Sequence, residues 1–312
     1  MSPLRALIDR SGARVLIMGV LNRTPDSFSD GGAFVDEEAA LARARDLLAE
    51  GADLIDVGAE STRPGSREIP AAEQIARLGQ IIPAAVALGA LVSVDTTSIQ
   101  VARHALAQGA TAVNCVDPSR AAELASLCRE HGAALVIMHC RGSMTAMKGF
   151  SAAADSAYTD VVAEVASELS AAADRALAAG LARDEILLDP GFGFAKNARH
   201  SIELLARLDE ICALGFPVLA GPSRKSFLAN AAAAEERDAL GLPATPALAP
   251  PSQRLGGTLA SVLACADRGA RVVRVHDVAE TRQALAVWNA VRRAPLPIAR
   301  SSPSLPGEAA RV

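Results

Sequence analysis

Short apolar runs recur along the chain, separated by longer segments in which alanine and leucine return at helical spacing. The runs are VLIMGVL (15–21), DLIDVG (53–58), ALVSVD (90–95), TAVNCV (111–116), ALVIMHC (134–140), EILLDP (185–190), FPVLAG (216–221) and RVVRVH (271–276). Each is apolar at both alternate positions, as parallel strands are when helices cover their sheet. Between them, DEEAALARARDLLAEG (36–51) opens on acids and stops at Gly51. SIQVARHALAQG runs from Ser98 to Gly109, and SRAAELASLCREHG from Ser119 to Gly132. EGADLIDVG, QGATAVNCV, HGAALVIMH and RGARVVRVH repeat one joint: a glycine closes the helix and a short turn feeds the next strand. Eight such strands with helices between them predict an α/β fold, a closed (β/α)8 TIM barrel forming a single domain over 14–292. An open doubly wound sheet is the second choice, but no G-x-G-x-x-G follows the first strand, which disfavours its dinucleotide-binding form. Residues 1–13 read as an N-terminal lead, 229–252 as a loose Ala/Pro-rich insertion, and 293–312 as a disordered Pro/Ser-rich tail.

Composition narrows the function. The 312 residues are 50% hydrophobic and 21% charged, with a formal net charge of −4 and only 3% aromatics. No basic face and few stacking rings leave nucleic acid without a footprint. Five cysteines stand singly, without a C-x-x-C pair, which fits reduced thiols in a cytoplasmic protein. The apolar run at 15–21 is too short to span a bilayer, and no leader with a cleavage site precedes it, so neither export nor a membrane is expected.

In such barrels chemistry sits at the C-terminal ends of the strands. Those ends carry Asn22, Glu60 to Arg63, Asp95, Asn114, His139 to Arg141, Asp189, Ser223 to Ser226, and Arg274 to Asp277. Any one of them could merely cap a helix or satisfy a loop; a polar residue at every strand end favours a site. GPSRKS (221–226) and RVH (274–276) follow the last two strands, where barrels often hold phosphate, and offer cations, hydroxyls and N–H groups. GPSRKS lacks the second glycine of a P-loop. Asp95, Asp189, Asn114 and Lys225 together suit a planar heterocycle with several N–H and C=O groups, although the carboxylates could equally abstract protons. Asn22 offers an oxygen to a hard cation such as Mg²⁺.

With those residues in view, the chain resembles the dihydropteroate synthases, the sulfonamide-sensitive pterin-binding enzymes of folate biosynthesis. The resemblance rests on LNRTPDSFSDGG (21–32), DVGAESTRPGS (56–66), VSVDT (92–96), AVN (112–114), MHCRG (138–142), LDPGFGFAK (188–196), GPSRKSF (221–227) and VRVHDV (273–278). It implies a transferase that condenses 6-hydroxymethyl-7,8-dihydropterin diphosphate with p-aminobenzoate, with SN1-like loss of diphosphate. It further implies Asp95, Asp189 and Lys225 as catalytic groups. Asp95, Asn114, Asp189, Lys225, Arg274 and Phe194 would bind pterin, and Asn22, Thr62, Arg63, Arg274 and His276 diphosphate. Phe28, Thr62, Pro64, Lys225 and Ser226 would form the p-aminobenzoate pocket, Asn22 would ligate Mg²⁺, and the enzyme would be a homodimer.

Two departures bear on that expectation. Cys115 stands where the family has Asp, and Ala195 interrupts a GFGFGK pattern at a place where glycine would tolerate positive φ. They keep open the alternative of a weak or inactive pterin-binding paralogue. A corrinoid-type methyltransferase domain would lack the TPDSFSDGG loop and the SRKS and RVH anion site. An aldolase-type barrel would use Lys225 as a Schiff base.

Overall fold

A computed structural model describes residues 1–22, 33–60, 69–142, 151–240 and 249–294. Eight parallel strands form one sheet: β1 Leu16–Asn22, β2 Leu54–Gly58, β3 Val92–Asp95, β4 Ala112–Cys115, β5 Ala134–Met138, β6 Ile186–Asp189, β7 Leu219–Ala220 and β8 Val272–Val275. The hydrogen-bonded order is β6-β5-β4-β3-β2-β1-β8-β7. A parallel bridge between Leu188 and Val218, with the Leu188 N–H donating to Pro217 O at 3.0 Å, brings the two ends together. The architecture is a (β/α)8 barrel. All eight expected strands are present; β1 is shifted one residue onward to end on Asn22, the others are shortened, and β7 keeps only two residues.

Strand parity divides the core in two. Leu16, Met18, Leu54, Ala112, Ala134, Val136, Leu187, Leu219 and Val272 fill the barrel interior. The intervening residues, among them Ile17, Ile55, Val57, Val94, Val113, Ile137, Leu188 and Val273, pack outward into the larger cluster formed with the helices. Both sets are buried, which is why the strands show no polar alternation.

The expected N-terminal lead is structured. Pro3–Arg10 is a helix whose N-cap, Ser2, accepts from the Arg5 N–H, with proline at its first position. Leu4 and Ile8 close the interior cluster at the N-terminal end of the barrel. Ser2 N donates to Glu185 Oε1 at 2.7 Å, and Arg271 Nη2 donates to Ile8 O at 3.0 Å, so the plug is fastened to the segments entering β6 and β8.

The Ala/Pro-rich stretch corrects a second expectation. Ser226–Leu240 is one helix, so the first part of 229–252 is regular rather than loose. Its alanines favour helix, and the prolines that would break it begin only at 243. The prolines at 250 and 251 then start a short 3-10 turn, Pro251–Gln253. Among the described residues, no helix is long and apolar enough to cross a membrane.

Candidate active site

The interior parity, followed toward the C-terminal ends of the strands, changes from apolar to polar. Asp56 on β2, Asp95 on β3, Asn114 on β4, Asp189 on β6 and Arg274 on β8 all occupy inward positions. Asp95, Asn114 and Asp189 are each 4% exposed and Asp56 is 0% exposed. The Arg274 guanidinium spans two of the carboxylates, donating from Nε to Asp56 Oδ2 at 2.6 Å and from Nη2 to Asp95 Oδ2 at 3.0 Å. Asn114 Nδ2 donates to the same Asp56 oxygen at 3.0 Å. Asp56 Oδ1 and Asp95 Oδ1 are buried without a donor among the described residues. Asp189 is fixed by its neighbour: the Gly191 N–H donates to Oδ1 at 2.7 Å. Gly191 itself has φ +66°, and a Cβ there would meet His139 O at 2.1 Å, so only glycine fits this turn.

Lys225 extends over the Phe194 ring, with Nζ 4.5 Å from its centroid. Phe194 packs with Val116, Met138 and Cys140 in a small apolar cluster beside the polar groups. The site thus joins one apolar wall to a floor of acceptors and a cationic rim, a combination suited to a flat, polar ring.

Burial dominates the electrostatics. It pushes the Asp95 carboxyl up to about 7 against the pull of Arg274, with Asp56, Glu60 and Asp189 adding to the rise. Burial also raises Asp189, opposed first by Lys225. Lys225 is pushed down to about 8 by burial, with Asp189 pulling the other way. For Arg274 burial opposes the charge, but Asp56 and Asp95 outweigh it and the pKa rises, so the guanidinium stays charged.

The remaining predicted residues are placed as follows. Asn22 ends β1, and its Oδ1 lies 3.5 Å from where a Cβ on Gly58 would stand, at the same mouth. His276 follows β8; its Nδ1 is 3.0 Å from Ser223 Oγ, which also accepts from the His276 N–H at 3.2 Å. Ser226 Oγ donates to Ser151 Oγ at 3.2 Å. Phe28, Thr62, Arg63 and Pro64 lie outside the described residues.

One strand end departs from expectation. His139 has outward parity and faces the helices: its Nε2 lies 3.0 Å from Glu168 Oε2 and its Nδ1 2.9 Å from the fully buried Lys196 Nζ. Lys196 also donates to Gly191 O and Phe194 O, each at 3.1 Å, tying down the loop that carries Phe194. Burial lowers His139 to about 4 and Lys196 to about 7. Cys115 is likewise outward, buried in the helix-facing core, with its thiol donating to Asp117 O at 3.2 Å. Asp56 was hidden in the sequence inside DLIDVG; only its parity with Leu54, an interior residue, marks it as part of the site. A rim cleft of about 720 Å³ between Ile69–Gln74, Thr97–Gln100 and Arg120–Glu123 lies outside this inward set.

Comparison with known proteins gives this geometry a lineage. The pterin binding enzyme family matches residues 18–276. A dihydropteroate synthase of Mycobacterium leprae is 42% identical over 279 residues, 89% of this chain and 94% of that protein. A probable bifunctional folylpolyglutamate synthase/dihydropteroate synthase of Haloferax volcanii is 41% identical over 88% of this chain, which spans 30% of that longer protein. Among solved structures, a Xanthomonas albilineans dihydropteroate synthase with 4-aminobenzoic acid superposes with a TM-score of 0.77 at 41% identity, covering 90% of this chain and 94% of the other. The same enzyme in complex with 7,8-dihydropteroate gives 0.73 at 38% identity, covering 90% and 95%. The chain belongs to the pterin-binding enzymes, within the dihydropteroate synthases.

Proposed function

We propose that the barrel mouth binds 6-hydroxymethyl-7,8-dihydropterin diphosphate and p-aminobenzoate and joins them to 7,8-dihydropteroate. The observation that carries the reading is the convergence of Asp95, Asn114, Asp189, Lys225 and Arg274 on one buried mouth, in a chain of this family. The ligands of the Xanthomonas structures, 4-aminobenzoic acid and 7,8-dihydropteroate, are one substrate and the product of that reaction.

In the reaction, the bond from the pterin methylene to the diphosphate oxygen breaks and its electron pair leaves with diphosphate. The amine nitrogen then bonds the methylene and releases a proton to water or to the departing anion. Asp189 accepts from the pterin amide and exocyclic amine, and Lys225 donates to the ring oxygen and nitrogen. Phe194 walls one face. Asp95, ionised, stabilises the positive charge that develops on the pterin as diphosphate leaves. Arg274 and His276 hold the diphosphate, the imidazole best when protonated. Ser226, with Phe28, Thr62 and Pro64, shapes the p-aminobenzoate pocket, while Thr62 and Arg63 reach the diphosphate.

Asn22 contributes a single hard oxygen, and among the described residues no three His, Cys, Asp or Glu side chains form a group that could hold a metal ion by themselves. That donor set fits Mg²⁺ completing its shell with diphosphate oxygens and water, where it would neutralise the leaving group. A homodimer is supported by Val287 and Val291, 60% and 69% exposed and four residues apart on one helix. A cytoplasmic setting is supported by five free cysteines. A pterin-binding paralogue without turnover is disfavoured, because Cys115 faces the helices and Ala195 affects one loop, leaving the reacting groups intact.

A coupled assay with both substrates and Mg²⁺ is expected to release diphosphate in step with dihydropteroate. Pterin binding by calorimetry without any diphosphate release would refute the catalytic reading.

A further inference from the structure

Asp56 is fully buried, and the role of such a carboxylate must be sought in what it holds. Withdrawing it from water is costly unless partners surround both oxygens. Here Oδ2 accepts twice, from Arg274 Nε at 2.6 Å and from Asn114 Nδ2 at 3.0 Å, while Oδ1 meets no donor among the described residues. An apolar residue, such as Leu54 at the preceding inward position of β2, would fill the place without that cost. Both groups that Asp56 binds belong to the mouth.

The two contacts have separate consequences. A carboxylate oxygen only accepts, so the Asn114 amide must turn its NH2 toward Asp56 and its carbonyl oxygen away from it. Arg274 uses different nitrogens for its two carboxylates, Nε for Asp56 and Nη2 for Asp95. Its guanidinium can therefore give up Asp95 and remain anchored at Nε. Asp95 needs that release, because a carboxylate neutralised by Arg274 is a poor partner for a cation forming on the substrate.

We propose that Asp56 is a positioning residue that keeps Arg274 in the mouth while the guanidinium exchanges Asp95 for the anionic end of the substrate, and that turns the Asn114 carbonyl toward the pterin ring. The proposal rests on the pterin reading of the site.

Asp56→Asn preserves shape and can keep one acceptor oxygen for Arg274 Nε and Asn114 Nδ2, with its NH2 at the Oδ1 position, but it removes the charge. The expected result is a loss of about tenfold in affinity for 6-hydroxymethylpterin, read by calorimetry, because the charge-assisted anchor of Arg274 becomes a neutral hydrogen bond. The acidic limb of kcat/KM should also move down by about one pH unit, since Asp95 loses a like-charged neighbour. The KM for p-aminobenzoate should change by less than about threefold, a split that general unfolding would not produce. Pterin affinity and acidic limb both matching the wild type would overturn the role. If Asp56→Asn does not fold, a crystal structure of the wild-type protein with pterin decides. Asp56 retaining both Arg274 Nε and Asn114 Nδ2 supports the proposal; pterin bonded to Asp56 with Arg274 Nε released overturns it. Wild-type protein that binds no pterin sinks the functional reading together with the proposal, whereas an unaltered Asp56→Asn beside a competent wild type sinks the proposal alone.

Discussion

Two residues state the electrochemistry of the mouth. Asp95 must be ionised to stabilise a cation, yet burial raises it to about 7; Lys225 must be protonated to donate, yet burial lowers it to about 8. Activity is therefore lost as pH falls through the first value and as it rises through the second. A bell-shaped kcat/KM with limbs near those values is expected for the free enzyme, and Asp95→Asn should erase the acidic limb; a flat profile from pH 5 to 9 would contradict the assignment. Because the folded pKa of Asp95 is raised, its contribution to stability runs the opposite way, present below 3.8 and lost as pH rises to about 7. Ala195 carries a different strain. Its φ is +49°, a left-handed conformation that costs an L-residue roughly 1–2 kcal/mol. Glycine returns roughly 0.5–1 kcal/mol of that as chain entropy, so Ala195→Gly should stabilise the fold by about 0.5–1 kcal/mol in urea denaturation. No gain would mean that the loop relaxes elsewhere. The positive φ was foreseeable from the glycine pattern around GFGFAK. Asp56 was less visible, because a lone acid in an apolar strand declares its face only once the interior parity is known.

At the scale of elements, the helix Pro3–Arg10 shows what local signals omit. Ser2 and Pro3 announce a helix start, yet nothing nearby says where the helix docks; Leu4 is fully buried only because the barrel floor covers it. Leu4→Ala should cost about 2–5 kcal/mol, while Leu88→Ala, at a position 43% exposed, should stay within about 0.5 kcal/mol. Equal effects in denaturant titrations would show that the plug does not seal the floor. The eight strands were legible because each is a short, mainly apolar run, several of them fed by a glycine-closed helix and followed by a polar loop. The Ala-rich stretch after Ser226 was misread because prolines further on coloured the whole segment, although helix propensity acts residue by residue. His139 was placed at the mouth by its position in sequence, but one step of strand parity turned it to the helices.

For the whole molecule, barrel closure explains how eight separate strand ends become one site, since order along the sheet brings β8 beside β1 and sets Arg274 within reach of Asp56, 218 residues earlier. The seam between β6 and β7 is the thinnest part of the sheet, and β7 has two residues. The N-terminal plug is fastened across that late half, Ser2 to Glu185 and Ile8 to Arg271. During synthesis this helix, made before every strand of the barrel, therefore waits, its apolar face uncovered, until β6 and β8 have emerged to receive it. The contact that seals the barrel floor is among the most distant in the sequence, which makes it entropically costly to form early and places it among the last steps of assembly.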